Sequence, residues 1–140
     1  MADWISWTSD LTIDVPEIDE QHQELIRQFN NLGEAVWDGK GREAIGDILR
    51  FLADYTVKHF RDEEILMSRL NYPDHASHKK AHDDLVAEVT EFIGKFDSGE
   101  VASHLVISVV DRLGQWTRQH IRLEDKALGQ YAIENKAPTA

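Results

Sequence analysis

Apolar residues recur along this chain in steps of three and four, interrupted by short polar breaks, and that period predicts four amphipathic helices. The first runs from about Ile18 to Asp38, with Ile18, Leu25, Phe29, Leu32 and Val36 on its apolar stripe and Gly39 and Gly41 as its stop. The second runs from about Arg42 to Leu70 and carries Ile45, Ile48, Leu52, Tyr55, Leu66 and Leu70 before the turn Asn71-Tyr72-Pro73. The third starts near Asp74, a residue type suited to a helix N-cap, and carries Leu85, Val89, Phe92 and Phe96. Asp97-Ser98-Gly99 closes it. The fourth begins near Val101 and carries Leu105, Val109, Leu113 and Trp116. Residues 1–17 have no helical period. Leu11, Ile13 and Val15 alternate with polar residues and Pro16 breaks the run, which predicts an extended arm anchored by Trp4 and Trp7. Long helices with short connections imply antiparallel neighbours. The expected fold is therefore all-α, an antiparallel up-down-up-down four-helix bundle. One domain is expected over residues 1–140, with the arm at 1–17, the bundle at about 18–128 and a tail at about 129–140.

The stripes contain polar gaps. His22 fills one in the first helix, His59 and Glu63 in the second, His78 and His82 in the third, and His120 in the fourth. Their places along the helices are start, end, start and end, which an antiparallel bundle gathers into one layer of the core. Burying that many polar groups costs several kcal/mol unless something coordinates them.

Each motif alone has a plainer reading. His59 and Glu63, four residues apart, are ordinarily a solvated pair on one helix face. His78-x-x-x-His82 has the same geometry and is a common metal chelate. A lone His22 or His120 on an apolar stripe reads as a hydrogen-bonded core histidine, and Asp125 as a charge near a helix end. Jointly, convergence on one layer points to a metal centre. His104 lies sixteen residues before His120, about 24 Å along a helix, and is expected at the surface. His75 is expected outside the site. Asp62, Glu64, Asp83, Asp84 and Glu124 read as solvated faces.

Composition narrows the function. With 140 residues the chain can build a real core. The net charge of −11 makes nucleic acid and anionic membranes poor partners. No apolar run approaches a membrane span, and the first residues do not resemble a secretory signal. There are no cysteines, which suits a cytoplasmic setting and leaves His, Asp and Glu as the strong metal ligands.

Five imidazoles and two carboxylates are too many for one ion. Two six-coordinate ions held by them and by a bridging oxide or hydroxide are left one ligand short. Mixed nitrogen and oxygen ligation with an open position suits iron that binds a small molecule, whereas zinc prefers fewer ligands. Asp125 also raises a geometric demand. It follows His120 by five residues, a rotation of about 140° on an ideal helix. A bend, wide turn or break is therefore expected between Ile121 and Asp125.

The pattern resembles the hemerythrin family over nearly the whole chain. The residues that carry the resemblance are His22, His59-Phe60-Arg61-Asp62-Glu63, His78-Lys79-Lys80-Ala81-His82 and His120-Ile121-Arg122-Leu123-Glu124-Asp125. The flanking Ile18-Asp19-Glu20-Gln21 and Trp116-Thr117-Arg118-Gln119 are similar to its bacterial members. The resemblance implies two non-haem iron ions bridged by oxide or hydroxide. His78, His82 and His120 would hold the saturated iron, His22 and His59 the iron with the open position, and Glu63 and Asp125 would bridge. It implies reversible dioxygen binding for storage, transport or delivery, without enzymatic activity, in a monomer or weak oligomer. The alternatives are a sensor of oxygen, nitric oxide or redox state acting through a separate protein partner, a di-iron oxidase or peroxidase, and a structural zinc bundle. Leu25, Phe60, Trp116 and Ile121 are candidates for the apolar wall of the oxygen pocket, though plain core packing would use them too. Thr117 stands where the family usually has leucine. Its hydroxyl either returns to the Leu113 carbonyl or faces the ligand, where it would admit water.

Overall fold

In the computed structural model, residues 5–135 are described. Helix α1 spans Pro16–Trp37, α2 spans Arg42–Leu70, α3 spans His75–Asp97 and α4 spans Val106–His120. A π-helical turn, Ile121–Asp125, joins α4 to the short α5, Lys126–Glu134. Two 3-10 turns, Ser9–Leu11 and Ser103–Leu105, precede α1 and α4. The described residues contain no strand, and the architecture is a four-helix bundle in which α1 packs on α2 and α4, and α2 on α3.

Local chemistry sets the helix ends. Pro16 opens α1, where its missing N–H is harmless, and Glu17 and Asp19 sit in the first turn against the positive end of the helix dipole. Gly39 beyond α1 takes φ +71°, a left-handed conformation that glycine adopts without strain. Asn71 ends α2 at φ 51°, also left-handed, and its N–H bonds the Ser68 carbonyl. Asp74 precedes α3 but makes no side-chain cap, and Ser77 Oγ bonds the Asp74 carbonyl instead.

The core joins Ile18, Leu25, Ile26, Phe29 and Leu32 of α1 to Ile45, Leu49, Leu52 and Phe60 of α2, Leu85 and Phe96 of α3, and Val106, Val110 and Leu113 of α4. The buried face of the fourth helix departs by one residue from the expected stripe at its first two positions, while Leu113 and His120 are buried as expected. Val106 and Val110 are buried, whereas Leu105 is 49% exposed and Val109 only partly covered. The cause is the Ser103–Leu105 turn: the helix starts at Val106, five residues later than expected, so its phase is set from a different origin. The C-terminal boundary also moves, because α5 continues to Glu134 where a tail was expected from about residue 129.

The arm lies across α5 and the π turn. Leu11 and Ile13 are buried, and Trp7 and Val15 pack against the core. Trp4, the other expected anchor, lies outside the described residues. A methyl group added to Gly129 would sit 2.2 Å from the Ile13 carbonyl oxygen, a backbone atom that cannot swing away. Gly129→Ala is therefore expected to lift the arm and destabilise the fold by about 1–3 kcal/mol, as overpacking does elsewhere. Urea unfolding of the two proteins at one pH measures the difference, and equal midpoints would show that the arm does not bear on α5.

Candidate metal centre

His22 comes from α1, His59 and Glu63 from α2, His78 and His82 from α3, His120 from α4 and Asp125 from the π turn. All seven are buried, each at most 3% exposed. Every imidazole turns Nε2 inward. Glu63 Oε2 lies 3.0 Å from His22 Nε2 and 3.0 Å from His59 Nε2, while its Oε1 lies 3.1 Å from His82 Nε2 and 3.4 Å from His78 Nε2. Asp125 divides in the same way. Its Oδ2 is 3.0 Å from His22 Nε2, and its Oδ1 is 2.8 Å from His78 Nε2 and 3.1 Å from His120 Nε2. Two convergent sets result: Glu63, His78, His82, His120 and Asp125, and His22, His59, Glu63 and Asp125. Each carboxylate gives one oxygen to each set.

The donor chemistry fits two cations. Protein partners leave Glu63 Oε1, His78 Nε2 and both Asp125 oxygens without hydrogen bonds in a buried place. His82 Nε2 and His120 Nε2 approach to 3.1 Å. Without a cation, one ring must carry a proton to avoid two opposed lone pairs. Protons are the substitute for metal that this donor set allows, and its electrostatics favour them. Burial alone would lower His22 and His78, but the carboxylates of Asp125 and Glu63 facing each Nε2 outweigh it and raise them to about 9 and about 10. His120 is also raised; burial opposes the shift and the Asp125 charge overcomes it. Burial pushes Glu63 and Asp125 upward, yet the surrounding imidazoles hold Glu63 well below the carboxylate range and Asp125 below it as well.

Asp125 reaches the layer through the π turn. The Lys126 N–H bonds the Ile121 carbonyl, five residues back, so the turn absorbs one extra residue and brings His120 and Asp125 to one face. This is the wide turn that the five-residue spacing demands. Flanking rings fix two imidazole planes. Phe60 stacks on His82 at 3.8 Å between centroids and 3° between planes, and Trp116 stacks on His120 at 4.6 Å and 12°.

A cavity of about 30 Å³ adjoins the cluster. Leu25, Phe60, Trp116, Thr117 and Ile121 all line it, and so do Phe29, Leu49, Leu52, Ala53, Thr56, Leu85, Val89 and Leu113, which the sequence did not mark as cavity wall. The Thr117 hydroxyl donates to the Leu113 carbonyl at 2.8 Å, and the Thr56 hydroxyl to the Leu52 carbonyl at 2.7 Å. Both hydroxyls are thus satisfied by their own helices. His104 is exposed, and His75 is half-buried and belongs to neither convergent set. Asp83 and Asp84 are exposed and pair with Lys79 and Lys80. The other three acidic residues read as solvated do more than that. Glu64 meets His82 Nδ1 at 3.0 Å, Glu124 lies 3.3 Å from His120 Nδ1, and Asp62 accepts from Gln21, which itself meets His59 Nδ1 at 2.7 Å.

An all-helical bundle with a buried layer of five imidazoles and two shared carboxylates defines a protein fitted to a dinuclear non-haem site. The chain belongs to the hemerythrin family: the hemerythrin HHE cation binding domain matches residues 14–132. It is 36% identical over 131 residues to the bacteriohemerythrin of Stenotrophomonas maltophilia, covering 94% of this chain and 81% of that protein. It is 33% identical over 126 residues to the bacteriohemerythrin of Methylococcus capsulatus, covering 89% and 94%. A wild-type hemerythrin crystal structure superposes with a TM-score of 0.84 at 32% identity, covering 90% of this chain and 95% of that one.

Two outcomes test this geometry. A π turn is one residue inserted into an α-helix, so deleting the exposed Leu123 is expected to restore a regular helix with the Asp125 carboxylate still on the site face. The deletion variant should keep most of its bound metal, whereas Asp125→Ala should lose the pair; equal losses in metal analysis would contradict the assignment. Protonation gives the second. At pH 7.5, His22 and His78 are protonated in the metal-free protein, and metal binding requires them neutral. Loading should therefore release about two protons or more, read by calorimetry in buffers of different ionisation enthalpy. The same shifts fix the stability profile without metal. Because the folded values of His22 and His78 lie above the unfolded one, their contribution is fully present below about pH 6.5 and fades as pH rises through 9 and 10. The loaded protein should not show that alkaline loss in thermal melts.

Proposed function

We propose that this protein holds two non-haem iron ions between Glu63 and Asp125 and binds dioxygen reversibly, as a carrier or store and not as an enzyme. The observation that carries this reading is the division of each buried carboxylate between two imidazole sets beside a small apolar cavity. His78, His82 and His120 would hold one iron, and His22 and His59 the other. The iron pair, when bound, supplies the two electrons that dioxygen takes up reversibly.

The chain's own residues do the rest. The histidines present Nε2 lone pairs in fixed directions, and the carboxylates hold the two positions together. The cavity wall excludes water. Outside the cluster it presents Leu25, Phe29, Leu49, Leu52, Phe60, Leu85, Leu113, Trp116 and Ile121, with both threonine hydroxyls turned back to their helices. Away from the cluster this space offers water no free polar partner, which limits the proton supply that would make oxygen uptake irreversible.

The purified protein should contain two irons, and Glu63→Ala should lose the pair. Anaerobically reduced protein should change its optical spectrum on oxygen addition and recover on removal. Irreversible oxidation would favour a sensor or an oxidase, and spectral silence would point to zinc. Thr117 separates space from polarity. Thr117→Leu, filling part of the cavity, should slow the loss of the reversible response over repeated cycles, whereas Thr117→Val, which removes only the inward-bonded hydroxyl, should leave it within about twofold. A faster loss in the leucine variant would show that room in the cavity is not what limits the lifetime.

A further inference from the structure

The outward nitrogens of the site imidazoles meet different partners, and the difference follows the two metal positions. Behind the three-imidazole set, His82 and His120 face carboxylates. Glu64, one residue after Glu63 on α2, places Oε2 3.0 Å from His82 Nδ1. Its side chain is only 22% exposed, so its charge is less screened than a surface carboxylate. Glu124 lies 3.3 Å from His120 Nδ1 but is 47% exposed and forms no hydrogen bond to it. Behind the two-imidazole set the partners are neutral or missing. Gln21 Oε1 lies 2.7 Å from His59 Nδ1, and His22 Nδ1 is buried without a hydrogen-bond partner.

Hydrogen-bond logic fixes the orientation of each pair. Asp62 Oδ2 lies 2.8 Å from Gln21 Nε2 and, as a carboxylate, can only accept. The Gln21 amide therefore cannot flip, its Oε1 must accept, and His59 Nδ1 must donate. Glu64 imposes the same tautomer on His82. Both rings then direct a bare Nε2 toward the layer. The two acceptors differ in charge, however. An anion behind an imidazole increases its electron donation and favours the higher charge on the metal in front, and a neutral amide does so far less.

We propose that Glu64 and Gln21 are positioning residues that set the two metal positions apart: Glu64 makes the His78–His82–His120 position electron-rich, while Gln21, oriented by Asp62, holds His59 in the same tautomer without adding charge. This rests on the dinuclear reading and adds a division of labour within it. The two halves of the site share their carboxylates evenly, so the outer acceptors are what distinguish the ligand field of one imidazole set from the other beyond the number of rings.

Glu64→Gln tests it, because it keeps the size and an acceptor and removes only the charge. In the iron-loaded variant, the oxidised-to-reduced ratio at a fixed applied potential should fall about tenfold, a rise of about 59 mV for a one-electron couple. The double variant Gln21→Glu with Asp62→Asn moves the charge behind His59 and turns position 62 from an acceptor into a donor for the new carboxylate, and its ratio should rise. An unchanged ratio in either loaded variant overturns the charge assignment, so a Glu64→Gln protein that fails to load leaves the double variant to decide. A readout independent of iron accompanies it. In zinc-substituted protein, nitrogen-15 NMR should show His82 and His59 protonated at Nδ1, with the His82 Nδ1 proton moving upfield in Glu64→Gln and the His59 proton unmoved. Metal bound through Nδ1 of either ring would overturn the positioning role. A wild-type protein that loads no iron pair would instead defeat the proposed function, with the zinc measurement still deciding this one.

Discussion

The division of two buried carboxylates between two sets of imidazoles is the constraint on which the rest of this structure depends. Glu63 and Asp125 are fully enclosed, and an uncompensated pair of carboxylates in that place would cost far more than a domain of this size can spare. Compensation must come from positive charge within about 3 Å. The five imidazoles provide it as protons when no metal is bound, and as lone pairs to a metal when one is. The first arrangement leaves carboxylate oxygens without hydrogen bonds and opposes two Nε2 atoms across 3.1 Å; the second satisfies both. The layer is therefore a piece of core completed by cations, and its helices are held in register by what those cations require.

That requirement explains the departures from regular helix packing. A straight fourth helix would turn Asp125 away from His120, so the chain inserts a residue at Ile121–Asp125. The outward residues of the turn are then secured from outside. Arg122 Nε lies 3.3 Å from an Asp10 carboxylate oxygen and Lys126 Nζ bonds the Asp10 carbonyl at 3.0 Å, so the arm grips the turn from both ends. Each contact is exposed and weak alone. The arm's larger contribution is burial, since Leu11 and Ile13 close the core beside Ile121 and Asp125.

The same reasoning shows which parts were legible from the residues alone. Six of the seven cluster residues stand out because each polar side chain interrupts an apolar period, and the antiparallel topology that places them in one layer follows from helix and loop lengths; Asp125 interrupts none and was carried by the family resemblance. The π turn follows from a spacing that no regular helix can satisfy. The inward face at the start of the fourth helix was not legible, because Leu105 and Val106 are equally apolar and only the preceding 3-10 turn decides which faces inward. Glu64, Glu124 and Asp62 read as solvated because a carboxylate one residue off the buried stripe looks the same whether it meets water or an imidazole edge. The missing signal was chemical and not periodic. A histidine that binds through Nε2 must place an N–H at Nδ1, and neighbours of the ligand positions, such as Gln21 beside His22 and Glu64 beside Glu63, are the first places to seek its acceptor.

Rigidity and room are in tension around this layer. Stacked Phe60 and Trp116 fix the planes of His82 and His120, which leaves little slack in the site. A small ligand nevertheless needs space beside the cluster, and space in a close-packed core is destabilising unless its walls are satisfied. Away from the cluster the cavity is bounded by apolar side chains and by Thr117 and Thr56, which spend their hydroxyls on their own helices and present the remainder of the side chain to the void. A threonine in this conformation is isosteric with valine and smaller than leucine, so position 117 enlarges the cavity without making it polar. Under the proposed function, that wall would favour an apolar diatomic over water through hydrogen bonds kept within two helices, without a gate.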